Sequence, residues 1–317
     1  MRVIGLIVLA GVGGLSSLIC LVPGLEAQTP DRANPVLQRV LDEVGKKRRE
    51  YVETFKELTA QETKLTEIFD DHERVIRKRK VVADFLVYPS QVNAELASEY
   101  RVVREVDGKP IRNHSEQGIS LLQHLAQTKT LAAEHKRLRE QNMKYNLHYY
   151  RWDVTLNPAR QFEKGASPDY SYEIVGNERL GSKEVLVVSY RRNSFYPVEA
   201  RGIFGDFSKP ELSDRGRVWV DAKTFSICQW ENELIVRHLE TGNILVVMRD
   251  QVEYADSSFD ILVPKTITIS FFDKLRYKPG SSTPPHTELR GRMIYRYETF
   301  KRFNVTTEYE LNKPPNP

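Results

Sequence analysis

Leu37, Leu41, Val44, Tyr51, Phe55 and Leu58 follow three- and four-residue steps, broken once by Arg48. That spacing predicts a helix with one apolar stripe, leaving Lys46, Lys47, Arg49 and Glu50 mostly on its wet side. Asn34 supplies a cap and Pro35 fits the first turn. From Thr59 the period shortens to that of strands: Thr63 to Phe69 and Arg79 to Tyr88 flank the polar run Asp70-Asp71-His72-Glu73, and Tyr100 to Val106 ends in the turn pair Asp107-Gly108.

A second helical stretch runs from about Ser115 to Tyr145, as two short helices or one bent at Thr128-Lys129-Thr130. Ile119, Leu122 and Leu125 share one face, and Leu131, His135 and Leu138 continue it. Strands fill the rest: Tyr170–Val175, Glu184–Tyr190, Gly216–Ile227 with a compact turn at Asp221–Thr224, Ile244–Met248, Val263–Phe272 and Arg290–Phe303. Alternation puts Val218 and Val220 on the same side as Phe225 and Ile227, and turns Arg217 and Trp219 the other way. It likewise separates Ile267, Ile269 and Phe271 from Thr266, Thr268 and Ser270. Such clean alternation marks a sheet buried on one face, typical of antiparallel architecture.

The start of the chain changes the picture. Arg2 and then an uncharged, apolar run up to Glu26 have the layout of a secretory signal, with cleavage expected after Ala27. An uncleaved anchor is the competing reading, because the run is long enough to span a bilayer. Gly11, Gly13, Gly14, Ser16 and Ser17 interrupt it, and no basic stop-transfer cluster follows. The expected organisation is a signal over 1–27, a single domain over 28–311 and a disordered tail over 312–317, with the mature protein in the periplasm or cell envelope. The net charge of +4 is spread along the chain, which gives no case for nucleic acid. Beyond the signal only Cys228 remains, so no internal disulfide is possible.

Arg215-Gly216-Arg217-Val218-Trp219-Val220-Asp221-Ala222-Lys223-Thr224-Phe225 and the later strand Tyr295 to Phe303 resemble a core hairpin and strand of the periplasmic lipoprotein-carrier superfamily, the LolA/LolB-like fold. The turn Val106-Asp107-Gly108-Lys109-Pro110 and the segment Lys144-Tyr145-Asn146-Leu147 are similar to a large family of exported bacterial proteins of unassigned role. The resemblance implies an α+β, mostly antiparallel fold: an incomplete, unclosed β-barrel, with an N-terminal helix and a helical insertion covering the concave face. It also implies a non-catalytic protein that shields a lipid, a lipoprotein acyl chain or another amphiphile from water. The residues expected to line such a groove are Leu122, Leu125, Leu131 and Leu138 from the insertion, facing Val218, Val220, Phe225, Ile227, Ile267 and Ile269. The same ten residues would serve equally as a filled core. The chain would then be a structural or interaction module binding an envelope protein.

No phosphate-binding loop, metalloprotease helix, Cys-x-x-Cys pair or Gly-x-Ser-x-Gly elbow occurs, so the sequence points to no catalytic site, metal or cofactor. Asp70-Asp71-His72-Glu73 reads as a solvated hairpin tip, because adjacent residues do not converge on one ion. Glu231 and Glu233 read as an exposed strand face, and Cys228 as a small buried residue.

Overall fold

The computed structural model describes residues 34–90, 92, 97–114, 116, 118, 120, 123, 127–147, 153–197, 211–237, 242–276 and 286–302. The signal, its cleavage site and the C-terminal tail expected from the sequence lie outside these. Among the described residues no helix is long and apolar enough to cross a membrane.

Helix α1 spans Pro35–Phe55; the Asn34 side chain accepts hydrogen bonds from the Val36 and Leu37 N–H groups, satisfying donors that the first turn leaves open. Four strands follow: β1 (Leu58–Phe69), β2 (Val75–Pro89), β3 (Ala97–Val106) and the two-residue β4 (Lys109–Pro110). Helix α2 spans Leu131–Met143, and a short 3₁₀ turn covers Arg160–Phe162. The remaining strands are β5 (Tyr170–Leu180), β6 (Lys183–Arg192), β7 (Tyr196–Pro197), β8 (Glu211–Asp221), β9 (Ile227–Arg237), β10 (Ile244–Ala255), β11 (Val263–Arg276) and β12 (His286–Arg302).

These twelve strands make one sheet in the order β4-β3-β2-β1-β12-β11-β10-β9-β8-β6-β5, with β7 beside β8. Every pairing is antiparallel. Two meanders therefore run outward from a central seam where the first long strand meets the last, Leu58 opposite Arg302 and Ile68 opposite Gly291. The ladder ends at β4 on one side and β5 on the other, so the sheet is an incomplete barrel, as expected. The stretch between β4 and β5 has to cross from one edge of the sheet to the other.

Alternation along the strands sets which residues form the core. Val218 and Val220 on β8, and Ile267 and Ile269 on β11, are at most 1% exposed and share a cluster with Leu37, Leu41, Val44, Tyr51 and Phe55 of α1. Phe225 and Ile227 pack against its border. Trp219 points to the opposite face, as the alternation requires, and joins Val185, Val187 and Cys228 in a smaller cluster. Two glycines let the layers approach closely. A Cβ at Gly45 would stand 2.6 Å from the Phe162 carbonyl, and one at Gly216 would overlap the Tyr190 ring and the Glu231 carbonyl.

Three local expectations change. The hairpin strand after the Asp221 turn runs on as β9 to Arg237, because Trp230, Asn232, Ile235 and Val236 continue a buried pattern. Helix α2 buries Glu134, Leu138 and Asn142, leaving Leu131 and His135 half-buried. Its inner face is turned by the bond that Asn142 Nδ2 donates to the Glu99 carbonyl at 2.9 Å. The break that Arg48 makes in the α1 stripe is no gap in the buried face: Arg48 is 3% exposed and hydrogen-bonded to backbone carbonyls.

Candidate functional site

The core-facing side of the sheet divides into two chemically different halves. Over β8 to β11 it is mostly apolar, with Asn232 and Asp250 buried among the apolar side chains. Val252 lies opposite Ile267, which in turn lies opposite Tyr295, and Val218 lies opposite Trp230. Helix α1 joins the core of this half through its stripe, and a run of aromatic contacts carries it on to β2 and β12. Tyr51 stacks on Phe55 at 4.9 Å and meets Tyr254 edge-on at 6.0 Å; Phe55 reaches Phe85 and Phe300.

Where α1 meets the turn before β9 and the loop before β11, the cover leaves a recess with about 40 Å³ of interior space. Tyr51, Ile227, Tyr254, Ile261 and Leu262 form its apolar wall, and Lys47, Arg48, Glu50 and Asp260 its polar side. The space is enough for a few water molecules and far below that of a lipid chain. Burial pushes the Tyr254 hydroxyl up to about 12.

The other half, over β1 to β3, buries charge. Glu62, Lys64 and Thr66 occupy the inward positions of β1, continuing the side on which Leu58 and Ala60 face the core. Arg101 on β3 crosses β2 to reach Glu62, its Nε 2.7 Å from Oε1 and 2.9 Å from Oε2. Ala83 stands in register between the two strands and is small enough to let the guanidinium pass. The Arg101 Nη2 donates to Glu99 at 2.7 Å, and its guanidinium lies over the Phe85 and Tyr295 rings. Burial works against the Arg101 charge, but Glu62 and Glu99 outweigh it and hold the group firmly protonated. Burial lowers Lys64 to about 8, with Glu62 pulling the other way; its ammonium donates to the Asn146 side chain.

Glu99 also reaches the crossing segment. Its Oε1 accepts from Thr155 Oγ1 at 2.7 Å, from the Leu156 N–H at 3.2 Å and from the Thr155 N–H, while its own N–H donates to Asp153 at 3.1 Å. Burial raises Asp153 to about 6, and the neighbouring Glu99 carboxylate adds to the rise.

Of the ten residues expected to line a groove, Val218, Val220, Ile267 and Ile269 come together in one core cluster that includes α1, with Phe225 and Ile227 at the margin. Leu138 is fully buried on α2, which packs along β3, and Leu131 is half-buried on the same helix. Leu122 and Leu125 lie outside the described residues. The helix whose stripe shares their cluster is α1. The buried charges were missed from the sequence. Their one signal was polar residues at every second position of β1, 62, 64 and 66, in phase with the apolar 58 and 60. The Glu231 and Glu233 carboxylates lie on the outer face, where Arg215 and Arg249 flank Glu233 at 2.9 and 2.7 Å. Asp70 closes the β1–β2 tip, accepting from the His72 and Arg74 N–H groups.

No family model and no curated protein matches the chain. Among solved structures it is similar to a domain from Vibrio parahaemolyticus described as an outer membrane lipoprotein-sorting protein, at 11% identity and a TM-score of 0.38, covering 86% of this chain and 96% of that one. It is also similar to a DUF1329 family protein from Desulfovibrio piger, at 8% identity, a TM-score of 0.35 and coverage of 84% and 93%. A LolA superfamily protein from Nitrosomonas europaea matches at 12% identity, a TM-score of 0.27 and coverage of 85% and 94%. With TM-scores below 0.5, none of the three carries a function to this chain.

Proposed function

We propose that this is an exported, non-catalytic envelope protein that binds the apolar chain of a lipid, lipoprotein or other amphiphile between α1 and the apolar half of the sheet. The observation that carries this reading is the way the apolar half is closed. Helix α1, together with Val154, Ala159 and Phe162 of the crossing segment, packs into its core, while the strand ladder beneath is complete without that helix. Lifting α1 would uncover Val218, Val220, Ile267 and Ile269 without breaking a strand pairing. An acyl chain could replace the contacts that α1 gives up, at roughly 25 cal/mol per Å² of apolar surface. The recess beside Ile227 and Tyr254 marks where such a chain would enter.

A second reading has its own support. The space under α1 is filled in this conformation, and a filled core suits an interaction module that binds an envelope protein. Native and denaturing mass spectrometry of the gently purified exported protein separates the two. An adduct released by denaturation, and reduced in Ile227→Trp at unchanged melting temperature, is expected for the carrier. A bare mass in the native protein, repeated after incubation with fatty acid, would leave the interaction module.

A further inference from the structure

Because β4 and β5 are opposite ends of the sheet, the chain that leads into β5 is a strap bonded to β3, next to the other edge. Its described part, residues 153–165, runs between β3 and α1 and is hydrogen-bonded on both sides. On the β3 side, Glu99 gathers the Thr155 hydroxyl and the Thr155 and Leu156 N–H groups on one carboxylate oxygen, and its backbone N–H is held by Asp153. The Leu156 and Asn157 N–H groups turn back onto the Asp153 carbonyl at 3.2 and 2.8 Å, so the carboxylate caps a tight turn.

On the α1 side, the same short stretch offers its carbonyls. Arg48 Nε donates to Pro158 at 3.0 Å and its Nη2 to Leu156; the Tyr51 hydroxyl donates to Thr155 at 3.1 Å; Arg49 donates to Glu163. Val154, Ala159 and Phe162 anchor the strap in the core, and Gly45 of α1 leaves room for the Phe162 carbonyl. Thr155 and Leu156 are thus shared: their N–H groups face Glu99 and their carbonyls face α1. One peptide unit cannot leave Glu99 without disturbing what holds Arg48 and Tyr51.

We infer that Glu99 is the catch that keeps α1 closed, acting through the strap at Thr155 and Leu156 and not by touching the helix. The inference rests on reading α1 as a movable cover. Glu99 is a positioning residue, whose charge fixes the turn and whose turn presents the carbonyls that α1 grips. Loss of the carboxylate leaves two backbone N–H groups and a hydroxyl with a weaker acceptor, and places an amide among donors that include Arg101. The expected result is release of α1 as a unit while the strand ladder persists.

Hydrogen exchange of the full chain, read by segment, tests this without any ligand. In Glu99→Gln, amides of α1 and of residues 153–165 should exchange about tenfold faster, while those of β9 and β10 keep their wild-type rates. Thr155→Val removes only the hydroxyl bond and should accelerate the same two segments by a smaller factor. It carries the test if Glu99→Gln fails to fold. Unchanged α1 exchange, or equal acceleration in β9 and β10, would overturn the catch. Ligand loading is a separate readout. A loosened α1 with no adduct under any condition leaves the catch standing and removes the amphiphile reading, whereas loading with α1 exchange unmoved by either variant removes the catch alone.

Discussion

The two halves of the inner face bury side chains to similar depth by different physics. Over β8 to β11, Val218, Val220, Val252, Ile267 and Ile269 share one core cluster with α1 and with Val154, Ala159 and Phe162, held by apolar contacts that have no direction, so one apolar surface can stand in for another. Over β1 to β3, Glu62, Glu99 and Arg101 depend on hydrogen bonds of fixed geometry, and no substitute surface satisfies them. In the proposed function the apolar half is the place where a partner is exchanged, and the charged half holds the sheet and strap in place meanwhile.

The sharpest way to break the comparison is to treat both halves alike. Arg101→Ala leaves the buried Glu62 and Glu99 carboxylates without the cation between them, Glu99 keeping only its bonds from Thr155 and Leu156, and should cost about 3–5 kcal/mol. Urea unfolding measures it, and added fatty acid should recover none of the loss. Ile267→Ala opens a cavity in the apolar half at a cost of about 3 kcal/mol. There, a fatty acid that binds under α1 should restore part of the melting temperature. Equal rescue of both variants, or of neither, would erase the distinction between an exchangeable and a fixed half.

The third effect is one of pH. Asp153 faces Glu99 and Arg101 from β3 and Arg160 from the 3₁₀ turn, and sits at about 6 in the folded chain against an ordinary 3.8. The folded state thus holds this proton more tightly than the unfolded chain does. Its contribution is most favourable below pH 4 and declines as pH rises through 6, by no more than about 1.4 kcal/mol per unit. Asp153→Asn keeps the acceptor for the Glu99 N–H and removes the titration. Its stability, relative to the parent chain, should improve steadily from pH 4 to pH 7; a constant difference would show that Asp153 does not titrate there.

Much of the apolar half was legible in the sequence, because alternation and the α1 stripe are local patterns. Val218 with Val220, and Ile267 with Ile269, could each be placed on one face of their strand from spacing alone. Which helix covers them could not, since that depends on the strand order, and two amphipathic stretches competed for the role. Arg48 looked like a flaw in the stripe because its partners, Leu156 and Pro158, lie more than a hundred residues away. Glu62 and Arg101 gave no warning of each other, because a buried ion pair across two strands has no sequence period. Glu134, buried where Leu131 and His135 were expected to face inward, shows how little a short helix of weak amphipathicity fixes its own rotation.

The seam between β1 and β12 also sets the order in which the molecule can be made. Leu58 finds Arg302 only after nearly all the chain exists, and closing so long a loop comes before any reward from that pairing. The β8–β9 and β10–β11 hairpins can form early, but the two meanders stay unjoined until the last strand is released. A chain built this way remains slack throughout synthesis and gains its full cooperativity in one late step. If the chain is exported as proposed, that delay would keep it threadable until it had crossed the membrane.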